Sequence, residues 1–375
     1  MNERKRALFI NIFSIVILMI GVMISTVYYM ILTDQRGYTL SMLPFLGLIL
    51  ASFLASLLIS VLVHEFGHLV FGKLSGYDLN FFRVFSWTFV KWKKRVELRK
   101  LSIPGTAGQC LMVPTDPDKE EYPFILYNLG GIILNFISIL IAICLILFVD
   151  LPEWVLLLGL FININVMLIF INSVPFATND GANIKNLLKS SNARRVFYES
   201  LVFERDKVLG DFSYETHNFT GVSEDILLTH IVDMHEIDKA IYEDDNDKVI
   251  NLVDRYFSKN PPASFYQLAC KFEKNYAMLD KLSKSEDPSD ISKAKDLYKI
   301  QDDKALRGYI KSTSFPSVVR RDILYYSQLE KDQAKLDKAI KKFRKLNNNY
   351  YDKFTRIQEK AKVERLLNRG NLHGW

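Results

Sequence analysis

Four long apolar runs in the first half of the chain restrict its fold more than any other feature. A helix needs about 20 mostly apolar residues to cross a bilayer. Residues 7–32 (ALFINIFSIVILMIGVMISTVYYMIL) supply them without one charge. Residues 43–72 do so apart from one cluster, His64-Glu65-Phe66-Gly67-His68, and residues 122–149 and 154–174 also qualify. The chain therefore reads as an α-helical membrane protein with about four transmembrane helices. The first run follows Arg4, Lys5 and Arg6 as a secretory leader would. It is too long for a leader and no small-residue cleavage site follows it, so it reads as a retained anchor.

Charge divides the chain in two. Residues 1–190 carry 15 Lys+Arg and 12 Asp+Glu, whereas residues 191–375 carry 33 and 30. Both parts are close to neutral, so the formal charge of +6 is no sign of nucleic-acid binding. The second part has the charge density of an ordinary soluble protein and no further run long enough to span. Its stretch from Asp332 to Leu367 is dense in good helix formers, with breaks at Pro261-Pro262, Pro288 and Pro316. The expected organisation is an anchor and short outer connection at 1–42, a membrane core at 43–190, and a mostly α-helical soluble domain at 191–375. That domain is read as paired helices in a solenoid-like array without a clean repeat, offering a surface to a soluble partner.

Lys and Arg near span ends mark the cytoplasmic side. The N-terminal tail has three, the 33–42 connection only Arg36, and the 150–153 connection none. The 73–121 connection holds nine, including Lys91, Lys93, Lys94 and Arg95. Both termini and the 73–121 segment are thus expected in the cytoplasm, with the chain a multi-pass protein of the cell membrane. The Lys-, Asn- and Ile-rich composition points to a bacterium of low GC content. Within 73–121, FFRVFSWTFVKWKKRVELRKL is rich in aromatic and β-branched residues, which predicts strands or a hairpin. Trp87 and Trp92 beside basic residues suit the bilayer interface, and the basic run suits lipid headgroups. The stretch 103–110 reads as a turn-rich loop that re-enters the membrane. Cys110, Cys144 and Cys270 are odd in number and fit no metal spacing, so they are expected as free thiols.

The cluster in the second run has the form HExxH. Residues four apart share a helix face, so His64 and His68 can reach one metal while Glu65 takes a proton from water. Ionisable groups inside a span are costly and mark function, whereas a buried His–Glu pair that only packs would be a poor solution. A catalytic zinc usually has three protein ligands and one open position. The nearest downstream Glu is Glu97, among basic residues, and no His follows until His217. Asp180 is the better candidate. It follows Pro175, which stops the fourth span, and HEFGH lies within roughly two turns of the cytoplasmic end of its own span. The other histidines, His217, His230, His235 and His373, are scattered and read as structural.

On these residues the chain resembles the site-2 protease family of intramembrane metalloproteases, the M50 type. That family pairs HExxH in one span with NxxPxxxxDG in a later one, matched here by Asn172, Pro175, Asp180 and Gly181. A further family motif, Gly and Asn four residues apart in the intervening span, is matched by Gly131 and Asn135. The resemblance covers roughly residues 44–190. It implies Zn²⁺, hydrolysis of peptide bonds in membrane-embedded polypeptides, metal ligands His64, His68 and Asp180, and Glu65 as catalytic base. Asn135 is read as a catalytic residue that donates to the oxyanion, with Asn172 as a further substrate contact. The chain departs from the family in lacking an inserted PDZ-like domain and in carrying the helical tail. Asn128 and Asn165 read as interhelical hydrogen-bonding groups, Ser56 and Ser60 as packing residues, and Gly67 as a point of close helix approach. The rivals are a silent membrane scaffold with a partner-binding tail, and a transporter or immunity-type protein. An intact Glu65 counts against the first, and four spans without repeated halves against a transporter.

Overall fold

The structure is a computed structural model that describes residues 3–37, 40–93, 95–101, 106–115, 121–149, 151–175, 179–217, 219, 226–259, 261, 265–300 and 303–369. Contacts divide the chain into two units, Met1–Val84 with Ala107–Arg194, and Phe85–Thr106 with Arg195–Trp375.

The first unit contains four helices long and apolar enough to cross a membrane, Leu8–Gln35, Met42–Leu74, Phe124–Ile146 and Pro152–Ser173. They lie in α1 (Glu3–Gln35), α2 (Met42–Leu74), α3 (Phe124–Ile146) and α4 (Pro152–Ser173). Helices α2, α3 and α4 pack on one another, and α1 packs on α4. The burial pattern is the reverse of a water-soluble bundle. Ser56, Ser60, Asn128, Asn135 and Asn165 are buried, while Leu50, Leu54, Phe136 and Ile141 are exposed. That distribution suits hydrocarbon outside and hydrogen bonding inside.

Small and polar residues make the helix contacts. A Cβ on Gly67 would lie 2.7 Å from the carbonyl carbon of Gly130, so α2 and α3 touch backbone to backbone. Asn165 donates to Ser60 Oγ (2.8 Å) and Ser56 donates to the Leu157 carbonyl (3.1 Å), tying α4 to α2. Asn163 donates to the Leu18 carbonyl (3.0 Å), tying α4 to α1. Ser56 and Ser60 thus supply hydrogen bonds as well as space.

Helix α2 ends where Gly76 takes a positive φ of 79°, a conformation that favours glycine. Four strands follow: β1 (Tyr77–Val84), β2 (Trp87–Trp92), β3 (Arg95–Lys100) and β4 (Gly108–Pro114). β1 pairs with β4 in the first unit and β2 with β3 in the second, each pair antiparallel. Strands were expected here. The 103–110 loop falls partly outside the described residues, and 108–110 belong to β4. Pro152 opens α4 and Pro175 follows its end. The short helix α5 (Asp180–Leu187) follows and packs on α3 and α4.

The second unit is helical, from α6 (Ser191–Leu209) to α14 (Lys353–Arg369), with a π-helical turn at Tyr325–Glu330. Its core includes Val319, Ile323, Phe343, Val363 and Leu367 in one cluster and Ala240, Val253, Tyr256 and Ala277 in another. The fully buried Arg320 sits between Glu273 (3.0 Å) and Glu359, over the Tyr276 ring. The β2–β3 hairpin belongs to this unit. Trp92 has the guanidinium groups of Arg99 and Arg356 against its ring, and Arg99 donates to the Asn348 carbonyl (2.8 Å). Trp92 therefore packs on protein where the sequence pointed to lipid. The three cysteines are free thiols.

Candidate metal centre

The HExxH spacing does what helical geometry requires. His64 and His68, one turn apart on α2, turn their rings to one point, with Nε2 atoms 3.3 Å apart. Asp180 approaches from another element, its Oδ2 3.3 Å from His64 Nε2 and 3.4 Å from His68 Nε2. A tetrahedral zinc with ligands at about 2.0–2.1 Å requires ligand atoms about 3.3–3.4 Å apart. The three separations match that triangle. Asp180 Oδ2 is buried and has no hydrogen-bond partner, as an atom reserved for a metal would be. His64, His68 and Asp180 thus form a group that can hold a metal ion.

Neighbouring groups orient each ligand. The Tyr127 carbonyl lies 2.8 Å from His68 Nδ1. A carbonyl only accepts, so Nδ1 carries the proton and Nε2 keeps its lone pair for the site. The Asn135 amide lies 3.2 Å from His64 Nδ1, and its Oδ1 has no partner. Exchanging the two amide ends, which have the same shape, lets Oδ1 accept from Nδ1–H and frees His64 Nε2 in the same way. Gly131, one turn earlier on α3, makes room for the ring: a Cβ there would lie 2.5 Å from His64 Cε1.

Asp180 is placed by a helix cap. Asn179 accepts from the Ala182 backbone (2.9 Å), as an N-cap does, and donates to the carbonyls of Ile171 (2.6 Å) and Val174 (2.7 Å). One side chain thereby joins the end of α4 to the start of α5. Asn183 donates to Asn128 (3.2 Å), tying α5 to α3. Gly181 packs on the Ser173 carbonyl with no space for a Cβ.

Glu65 is buried beside the ligands, and its carboxyl lies against Gly108 of β4, where a Cβ would be 2.5 Å from Glu65 Cγ. The fully buried Arg83 of β1 donates to the Gly108 carbonyl (3.1 Å) and holds that strand in place.

The structure thus brings His64, Glu65, His68, Asn135 and Asp180 together. Asn172 donates to the Leu168 carbonyl of its own helix (3.0 Å). Sequence reasoning missed Tyr127, Asn179, Arg83 and Gly108. Asn179 was readable, since Asn before an acidic first turn is a cap signature. Nothing distinguished Arg83 from other strand residues, and Gly108 was read as part of the 103–110 loop where the structure has the start of β4. His217 is buried between Glu199 (3.8 Å) and Asp206 (3.5 Å), apart from any metal-capable group among the described residues. His373 and the His230 side chain lie outside the described residues.

Searches of the curated proteins and of the solved structures found no match. Residues 52–155 match the family model of peptidase family M50. The matched stretch holds HEFGH, the four strands and the Gly131–Asn135 pair, and stops before Asp180 and the helical tail. Residues 52–155 are thus similar to peptidase family M50, in a chain that also has a metal-capable triad and four membrane-length helices.

Proposed function

We propose that this protein is an intramembrane zinc metalloprotease that hydrolyses peptide bonds of membrane-embedded or membrane-associated polypeptides. The observation that carries this reading is the triangle of His64 Nε2, His68 Nε2 and Asp180 Oδ2 with zinc-like edges beside a buried Glu65. His64, His68 and Asp180 would hold the ion. Bound zinc supplies a Lewis acid that polarises the scissile carbonyl and acidifies water. Glu65 accepts the proton of the attacking water and passes it to the leaving amine. Gly108 lets β4 approach that carboxyl closely. Asn135 acts on the ring of His64 as a positioning residue, a reading its amide geometry favours over oxyanion contact.

The substrate must be opened before it is cut, because a helical peptide bond has both polar groups paired. Freed groups cost several kcal/mol each in hydrocarbon, so the enzyme has to offer partners. Among the described residues β4 pairs on one side only, with β1, which leaves its other edge for an extended strand beside Glu65. Cleavage is therefore expected near the cytoplasmic end of a substrate span, close to Gly, Pro, Asn or Ser. Membrane-anchored regulators, signal-peptide remnants and small peptide precursors all fit. The distribution of Lys and Arg supports cytoplasmic termini.

The test compares zinc content and released peptides for the wild type, Glu65→Gln and Asp180→Ala. Glu65→Gln should keep zinc and release no product. Asp180→Ala should lose zinc. An unchanged peptide profile in Glu65→Gln would leave a scaffold as the better account, and full zinc and turnover in Asp180→Ala would remove that residue from the ligand set.

A further inference from the structure

The β2–β3 hairpin has two unlike faces. Directly opposed residues of an antiparallel pair share a face. Thr88 and Val90 are fully buried, and with Trp92 and Arg99 they form the face that packs on the helical unit. On the other face Trp87 stands opposite Lys100, Phe89 opposite Leu98, and Lys91 opposite Val96. Trp87, Phe89, Val96 and Leu98 are 52%, 44%, 60% and 51% exposed, and Phe85 at the base is 42% exposed. The rest of the helical unit has no comparable group of large apolar side chains at its surface among the described residues; Tyr242, Tyr266 and Ile357 stand apart in sequence.

Cations rim the apolar patch. Lys91 and Lys100 lie on the same face and Lys93 in the turn, and Lys100 Nζ sits over the Trp87 ring at 5.2 Å. Glu97 is the one carboxylate between residues 85 and 101, and it is paired with Arg99 (2.6 Å) on the opposite side of the hairpin. A second copy of the chain would bring two cationic rims together, which disfavours self-association through this face. Aromatic and aliphatic side chains ringed by Lys complement an anionic bilayer surface, where rings sit at headgroup depth and cations meet lipid phosphates.

We propose that this face of the hairpin seats in the headgroup layer of an anionic bilayer and holds the helical unit to the membrane surface. The site requires neither zinc nor catalysis, so its test is independent of the protease reading. The full chain, with its three cysteines replaced by Ala and Phe89→Cys or Leu98→Cys added, is labelled with an environment-sensitive fluorophore. It is reconstituted into phosphatidylcholine vesicles with and without 30% phosphatidylglycerol. Brominated lipid should quench either label at least twofold more than aqueous iodide does, and more strongly in the anionic vesicles. Replacing Lys91, Lys93 and Lys100 together by Gln should remove the dependence on phosphatidylglycerol. A label at Asn246, at the start of α8 (Asn246–Ser258) in the same unit, should respond to iodide alone. Free access of iodide to positions 89 and 98 with no quenching by brominated lipid would overturn the proposal, and would leave an acidic protein surface as the occupant.

Discussion

Two glycines touch different parts of the proposed site, Gly131 the His64 ring and Gly108 the Glu65 carboxyl, and each can be perturbed without replacing a proposed functional side chain. In Gly131→Ala the new methyl would lie 2.5 Å from His64 Cε1 and 2.7 Å from both ring nitrogens. Ordinary carbon contacts are about 3.5–4.0 Å, so the ring must retreat by about 1 Å. Metal–ligand bonds tolerate about 0.2 Å. On the proposed function His64 would then cease to be a ligand. Loss of an orienting neighbour alone costs about 10–100-fold in metal affinity, so displacing the ligand itself should weaken zinc by about 100-fold or more. In Gly108→Ala the methyl meets Glu65 instead, Cγ at 2.5 Å and Cδ at 2.7 Å. Zinc affinity should be unchanged while turnover falls by about 100-fold, the scale of a 1 Å misplacement of a reacting group. Competition against a chromophoric chelator, on the purified chain in detergent, reads the first quantity, and product release reads the second. Wild-type zinc affinity in Gly131→Ala, or zinc loss in Gly108→Ala, would refute the division of roles.

Three further outcomes follow from the same coordinates. Asn179→Ala removes a cap and two ties to α4, so it should destabilise by about 1 kcal/mol and lower zinc affinity with every ligand still present, read by chelator competition. Arg320→Met leaves Glu359 and Glu273 without their shared cation, at a cost of about 3–5 kcal/mol, and should lower the unfolding temperature of the helical unit by about 10 °C. Burial lowers His235 to about 4, so the fold holds the ring neutral while the unfolded chain takes a proton below about 6.5. Its contribution to stability is complete above pH 6.5 and is lost as pH falls toward 4. The difference in unfolding midpoint between wild type and His235→Gln should therefore shift between pH 7 and pH 5, and a difference independent of pH would refute this.

The parts of the molecule legible in the sequence were those set by short-range periodicity. Span length, the i, i+4 pairing of His64 and His68, and the proline that ends α4 all act within a few residues. Asp180 could be read because a carboxylate at the end of a span has few structural uses. The orientation of the ligands could not. The Tyr127 carbonyl that fixes His68 is a backbone atom and leaves no trace in residue identity. Gly108 and Arg83 act through a strand whose register is set by pairing with a segment some 25 residues away. Trp92 looked like an interfacial residue because its local neighbours are basic. Its actual partner, Arg356, lies in the last helix, beyond the reach of any local pattern.

That separation governs the order in which the protein is made. Trp92 leaves the ribosome about 264 residues before Arg356, which at 5–20 residues per second means about 13–50 s. Throughout that interval the hairpin has been synthesised and the helices that cover one of its faces have not. On the proposed membrane reading α2 precedes the hairpin and α3 follows it well before Arg356 is made, so the hairpin waits beside a membrane with both faces uncovered. The bilayer surface is then the one nearby environment able to shelter it, and the nascent chain is most open to aggregation and proteolysis where that shelter fails.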